Sequence, residues 1–431
     1  MKKIVLLLDV LLCVLLIFSS CNVEKGNLNG VSDNTDAENT DEIIIKTVSP
    51  FGGTDPTRGD YQEAIRRFEL KYPNVTVMDD SSNSDEEWKT KINADFACKN
   101  NSDVIFYFTG VDSSMIVEKN FIVSVDEIRT VYPNFAIHIK DDAFKQTVHS
   151  DGKNYAIPIR GFWEGLFINT DIFEEYGVKI PTDYASFLEA VTAFAATDIV
   201  PVSLSLPEEP HYWIEQLILS AGTVEDHSSI PKSMDEVPQS WIDGLNTFKM
   251  LYDMGAFSKD MFVEKNISSR DMFVEKKSAM RLDGSWFVGE VKYPDTTTII
   301  PFYKMDGSKK VEAIAGYSMG FFISRDAWDD ESKRKAVCDF VEFMISHENI
   351  SLFSRYSGMP AVDGIEITPT NSLVETGYDY VKKFDNTALP IDYRLSKEAW
   401  VYLTTNIGSI LNGSKETEEV LSKVVELESY Y

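Results

Sequence analysis

Apolar positions along the chain fall into short β-type runs and longer helical stripes that alternate. Residues 42–48 (EIIIKTV) are rich in β-branched side chains and end at the turn-rich loop SPFGGTDPTRGD, which predicts a strand. Beyond the loop, Tyr61, Ala64, Ile65 and Phe68 recur at helical spacing, and Pro73 ends that helix. Residues 75–78 and 103–108 (DVIFYF) predict two further strands, so the opening reads as a βαβ unit of the kind that builds a parallel sheet. Helices are expected at 183–196, 212–221, 241–254 and 327–345, the last with Ala336, Val337, Phe340, Val341 and Met344 on one face. This alternation favours an α/β architecture, in which ligands sit at loops beyond the carboxyl ends of the strands. DMFVEK occurs at 260–265 and again at 271–276, a spacing that predicts the same helical face turned to the core in both copies.

The first residues follow a different logic. Lys2 and Lys3 precede an apolar run, residues 4–18, interrupted by Asp9, and then come Ser19, Ser20 and Cys21. That order is a secretory signal, and its end resembles a bacterial lipobox, which implies removal of residues 1–20 and acylation of Cys21. A membrane-spanning helix is the alternative, but the unbroken apolar stretch falls short of the roughly 20 residues needed. Residues 21–41 carry almost no core-forming side chains and read as a flexible tether, reaching roughly 25 Å on average.

Charge narrows the function. The chain has 431 residues, 43% of them hydrophobic, and a formal charge of −28; loss of Lys2, Lys3 and Asp9 with the signal moves it to −29. Such a chain repels polyanions, so nucleic acid is not an expected partner, and a monomer with a soluble surface is. The length suffices for two domains with separate cores. Beyond Cys13 and Cys21 only Cys98 and Cys338 remain. Both fall on apolar helix faces, and two buried thiols are favoured over a disulfide.

Several segments, taken in order, resemble the family 1 extracellular solute-binding proteins, the sugar-binding receptors of ABC importers. They are FGGTDP with AIRRFELKYPNVTV, SDVIFYFTG, DGKNYAIPIRGFWEGLFINTDIFEEYGV, SAMRLDGSWFVGE, AGYSMGFFISRDAW and LNGSKETEEVLSKVVELESYY. The resemblance implies a two-lobed periplasmic-binding-protein type II fold with a hinge and an interlobe cleft. Lobe one would hold 42–157 plus 318–356, and lobe two 158–317 plus 360–431. It also implies a lipid-anchored receptor on the extracytoplasmic face of the cell membrane (in the periplasm where an outer membrane exists), with ABC permease subunits and a mono- or oligosaccharide as partners.

Sugars present hydroxyls that need fixed hydrogen-bond partners and C–H faces that suit aromatic rings. Two loops supply both: DGSWFVGE with Asp283 and Trp286, and SLSLPEEPHYWIE with Glu209, His211 and Trp213. The crossover IRGFWEG adds Arg160, Trp163 and Glu164, where a charged pair fits either solute binding or an interlobe salt bridge. Thr54 and Asp55 follow the first strand, Thr109 and Asp112 follow the third, and Tyr317 and Tyr356 stand at the other crossovers. Core packing competes with binding at Trp286, Tyr317 and Tyr356.

Two other readings stand beside the receptor. GYSMG, residues 316–320, satisfies the G-x-S-x-G pattern of a serine hydrolase, but FFIS after it reads as a strand where the motif needs a helix. His347, the only downstream histidine, is expected at a helix end. The acidic turn at Glu208 and Glu209 suits a polyamine or another cationic solute. No cofactor or metal is expected: there is no H-E-x-x-H, DDSSNSDEE lacks the EF-hand glycine, and His211 with Glu215 is a lone pair on one helix face.

Overall fold

The central strands follow from runs that bury both faces at once. The computed structural model describes residues 42–430; the signal, Cys21 and the tether lie outside the described residues. In it the chain forms β1 (Ile43–Val48), β2 (Val75–Asp79), β3 (Val104–Phe108), β4 (Phe162–Asn169), β5 (Val200–Ser203), β6 (Ser278–Gly284), β7 (Thr297–Ile300), β8 (Glu312–Gly316), β9 (Met319–Ile323) and β10 (Asn386–Ala388). The first sheet has the order β2-β1-β3-β9, with β9 antiparallel to β3 and the others parallel. The second runs β10-β8-β4-β6-β5, with β7 also paired to β4.

Alternation along each central strand decides which layer a side chain enters. In β3, Val104 and Phe106 join one hydrophobic core, and Ile105 and Tyr107 join another on the opposite face. In β4, Leu166 and Ile168 face the core built around the helix Pro210–Ala221, and Trp163 and Phe167 face the other side. Each sheet is therefore covered on both faces, and the molecule is a two-lobed α/β protein.

Between the sheets the chain runs through three adjacent segments. Ile157 bridges Phe321 of β9. The Gly161 N–H donates to the Met359 carbonyl at 2.7 Å, and the Ala361 N–H to the Ile159 carbonyl at 3.0 Å. A side chain at Gly320 would meet the Ile157 carbonyl carbon at 2.8 Å, so the close approach of these segments requires glycine.

Four expectations change. The helix expected at 327–345 is two, Arg325–Asp329 and Glu331–Met344, because Asp330 adopts an extended conformation and caps the second by accepting from the Ser332 N–H. The first DMFVEK copy lies mostly in turns and buries Met261, whereas the second falls in the helix Asn266–Val274 and buries Phe273; the copies do not share a face. Cys98 sits past the end of the helix Glu86–Ala97 and is exposed, while Cys338 is buried and its thiol is pushed by burial up to about 12; both are free. His347 opens the helix His347–Phe353 behind the cap Ser346, so it does not end one.

Candidate functional site

Aromatic side chains gather where the two lobes meet. Pro210 occupies the first turn of the helix Pro210–Ala221, where its missing N–H costs nothing. The next two residues, His211 and Tyr212, stand half-buried at the lobe boundary with ring centroids 4.1 Å apart. Tyr212 lies 5.9 Å from Trp286, Trp286 lies 6.0 Å from Phe162 of β4, and His211 lies 6.4 Å from Trp400. Trp286 lies across Gly284, where any side chain would meet its ring at 2.2 Å.

Carboxylates sit beside these rings without counter-charges. Glu164 shares the face of β4 that carries Leu166 and Ile168, and Glu215 lies one turn after His211 on the facing helix. Glu164 Oε2 and both carboxylate oxygens of Glu215 are buried without a side-chain hydrogen-bond partner. Burial, then the charges of Asp283 and Asp392, lifts the Glu164 carboxyl well above the usual range. Burial, then Glu164 and Asp392, does the same to Glu215, with only the Ile391 backbone N–H easing it. Asp392 is raised by burial to about 6, against the pull of Lys89. The His211 imidazole is pushed by burial, with Lys89 adding, down to about 4, so it is neutral at physiological pH.

The first lobe contributes the opposite wall. Asp85 caps the helix Glu86–Ala97 by accepting from the Trp88 N–H at 2.7 Å, which sets Glu86 and Lys89 in its first turns. Lys89 pairs with Asp112 at 2.7 Å and Glu86 at 3.1 Å, with its ammonium 4.4 Å from the Phe108 ring centre. From the second lobe, Lys397 reaches Glu86 at 2.5 Å and Asp112 at 4.0 Å. Between them a crevice of about 10 Å³, lined also by Val111, Asp392, Leu395 and Trp400, has room for one water-sized sphere. Gly110, in the left-handed region at φ 68°, lets the Thr109–Asp112 loop press on Tyr393, whose carbonyl oxygen would be 2.5 Å from an added Cβ.

Of the residues singled out from sequence, Trp286, His211, Glu164, Asp112 and Thr109 lie at this boundary. Asp283 and Glu209 are fully engaged elsewhere. Arg281 donates to Asp283 at 2.7 Å and to Glu209 at 2.5 Å, and Arg270 joins Asp283 at 3.3 Å and Glu290 at 2.9 Å. Burial would raise the Asp283 carboxyl, but Arg270 and Arg281 overcome it and hold it below the usual range.

Trp213, expected on a binding loop, is instead enclosed among Phe248, Phe257 and Phe302, because its place in the helix turns it toward the core. Trp163 is likewise core; its indole N–H donates to the Ser357 carbonyl at 2.8 Å and ties β4 to the segment that leads to Met359. Arg160 turns to the first lobe rather than to Glu164, bonding Thr57 at 2.7 Å and the Phe353 carbonyl at 2.9 Å, with Asp55 at 4.0 Å. Thr54 is exposed, its N–H donating to Asn83. Tyr317 is buried and donates to the Pro360 carbonyl at 3.1 Å, and Tyr356 packs half-buried near Gly289.

The site also takes in Phe162, Tyr212, Asp392, Lys89 and Trp400, which lie outside the sequence-based candidates, and Glu215, whose pairing with His211 on one helix face marks only a weak metal-ligand pattern. The spacing of His211, Tyr212 and Glu215 on one helix was the signal available for two of them. Ser318 runs directly into β9, so no helix follows it and a hydrolase elbow is not formed.

Comparison with known proteins follows the same lines. The family model of the bacterial extracellular solute-binding proteins matches residues 54–350. No curated protein matches the chain. Among solved structures, a protein studied for xylan utilization by the thermophile Caldanaerobius polysaccharolyticus superposes with a TM-score of 0.75 at 20% identity, covering 89% of this chain and 100% of that one. A chitin oligosaccharide binding protein gives 0.76 at 20% identity, over 89% and 98%. A maltose/maltodextrin-binding domain from Bdellovibrio bacteriovorus, bound to maltotriose, gives 0.69 at 16% identity, over 90% and 99%. At these identities the likeness establishes the fold, that of the type II periplasmic binding proteins.

Proposed function

The chain belongs to the bacterial extracellular solute-binding proteins, and from that premise we propose that it is the receptor of an ABC importer, capturing a carbohydrate between its lobes and delivering it to the permease. One observation carries the reading: rings and hydrogen-bonding groups suited to a sugar converge where the lobes meet, in Phe162, Tyr212, Trp286 and Trp400 beside Glu164 and Glu215. Rings cover C–H faces, and carboxyl oxygens take hydroxyl protons. Structural relatives described as binding a chitin oligosaccharide or maltotriose support a carbohydrate.

Solute contacts both lobes only when they are together, so it favours the closed arrangement by its differential affinity. Lobe one takes in residues 42–157 and 318–356, and lobe two residues 158–317 and 360–431, with the paired crossovers between them as the hinge. Acylated Cys21 holds the receptor, as a monomer, at the extracytoplasmic face of the membrane on the tether that follows it.

The test is thermal melting of the purified protein against a panel of mono- and oligosaccharides. A bound sugar at one hundred times its dissociation constant adds about 2.7 kcal/mol of stability, which is visible as a rise in melting temperature. Trp286→Ala is expected to remove that rise while leaving the unliganded melting temperature in place, since the ring is only partly buried. A panel without any shift, or steady turnover of a sugar, overturns the reading.

A further inference from the structure

Glu164 and Glu215 lie at one end of the core that unites β4 with the helix Pro210–Ala221. That core contains Leu166 and Ile168 from the strand, Ile214, Leu217 and Ile218 from the helix, and Ile391 from the segment before Asp392. The two glutamates are thus brought to the same place from facing elements, at the margin where the core gives way to the aromatic cluster. Glu215 is 0% exposed and Glu164 2%. Among the described residues neither forms an ion pair, and apart from the Ile391 backbone N–H near Glu215 no donor serves Glu164 Oε2 or the Glu215 oxygens. The nearby basic side chains are committed elsewhere: Arg270 and Arg281 to Asp283 and Glu209, and Lys89 to Asp112 and Glu86.

Burial holds these two carboxyls toward their protonated form in the empty protein, and a ligand that brings hydrogen-bond donors together with positive charge lets them ionise in place. A neutral hydroxyl supplies a hydrogen bond and no charge. An ammonium supplies three donors and the compensating charge. We propose that the solute carries a protonated primary amine, which seats between Glu164 and Glu215 while the body of the solute lies against Tyr212 and Trp286. This rests on the receptor reading above and specifies its solute; the amine can belong to an amino sugar or to an alkyl polyamine, and the rings suit either.

Calorimetric titration separates the cases with a matched set: a β-1,4-linked oligoglucosamine, its N-acetylated form, the glucose oligomer of equal length, and spermidine. The expected result is that the oligoglucosamine binds about a hundredfold more tightly than its two neutral counterparts, the scale of losing one partner of a buried charge pair. Glu215→Gln, which keeps size and removes charge, is expected to erase that preference. Glu164→Gln serves the same purpose if the first variant does not fold, as judged by circular dichroism.

Spermidine binding in place of the oligoglucosamine upholds the amine and sinks the carbohydrate half of the receptor reading. A neutral oligomer that binds as tightly as the amine overturns the inference and leaves the receptor reading standing. Binding of none of the four at millimolar concentration overturns the inference, and the wider sugar panel then decides the receptor reading separately.

Discussion

Glu215 holds a carboxyl group where neither solvent nor a basic side chain reaches it, and this makes the unliganded protein sensitive to pH. Its folded-state value lies above the ordinary 4.5, as does that of Glu164, and Asp392 runs from 3.8 to about 6. A raised carboxyl keeps its proton longer in the native state, so its contribution is most favourable at low pH and is lost as pH rises through that window. His211 and His227, depressed to about 4 and about 3, act in the opposite sense, since they cost stability as pH falls below their ordinary 6.5. The glutamate effect is therefore read by difference. Glu215→Gln is expected to melt higher than the parent at pH 7.5, by about 1–3 kcal/mol in stability, with the gap closing near pH 4. Equal melting at both values would mean that the carboxylate is already compensated. Glu164 was legible as a crossover residue and Glu215 as a helix neighbour of His211, but not their burial without counter-charges. With 69 acidic residues, those facing inward carry no mark of it, and the acidic turn that drew notice, Glu209, proved to be held by Arg281 seventy-two positions away.

The helix Pro210–Ala221 is the element that joins core to site. One side buries Trp213, Ile214, Leu217 and Ile218, and its first turn delivers His211 and Tyr212 to the lobe boundary. Its far end is fixed by the Lys304 ammonium, which donates to the Leu219 carbonyl at 2.7 Å and pairs with Glu312 at 2.7 Å, a favourable place for a cation at a helix C-terminus. Against its back lies the helix Gln239–Asp253, which approaches so closely that a methyl group at Gly244 would meet the Ile218 nitrogen at 2.7 Å. Gly244→Ala is expected to push the helices apart and destabilise the protein by about 1–3 kcal/mol, measured by urea unfolding, despite alanine's better helix propensity. A neutral or stabilising result would show that this contact yields easily.

Elements of this kind were the readable part. The stripe Tyr61, Ala64, Ile65 and Phe68 and the strand DVIFYF stand where their periodicities put them, because each is decided by burial within one segment. The break at Asp330 is hidden because residues 329–335 are all polar, and a capped break there carries the same pattern as a solvated helical turn.

Across the whole molecule, the boundary between lobes is held by groups remote in sequence. Lys397 meets Glu86 over 311 positions, and Tyr393 packs on Gly110. No periodicity reports such distances, which is why Lys89, Asp392 and Trp400 were not singled out, while the order of segments along the chain sufficed for the fold. The Lys397 pair is partly exposed, and such a pair is worth about 0.2–1 kcal/mol. Lys397→Glu, which sets a third carboxylate against Glu86 and Asp112, is expected to enlarge the radius of gyration of the unliganded protein in X-ray scattering and to weaken solute affinity about two- to fivefold. An unchanged radius and affinity would mean that this contact plays no part in bringing the lobes together.

The exposed thiol of Cys98 gains a use from its position. It sits at one end of the helix Glu86–Ala97, whose other end carries Glu86 and Lys89, while Cys338 is shut away in the core. In a protein freed of its first 21 residues, a maleimide dye would attach to this one position, about 18 Å along the helix from the groups that meet Lys397. Any movement of that helix against the second lobe would alter the surroundings of the dye, so the natural chain already carries the attachment point for an optical sensor of its solute.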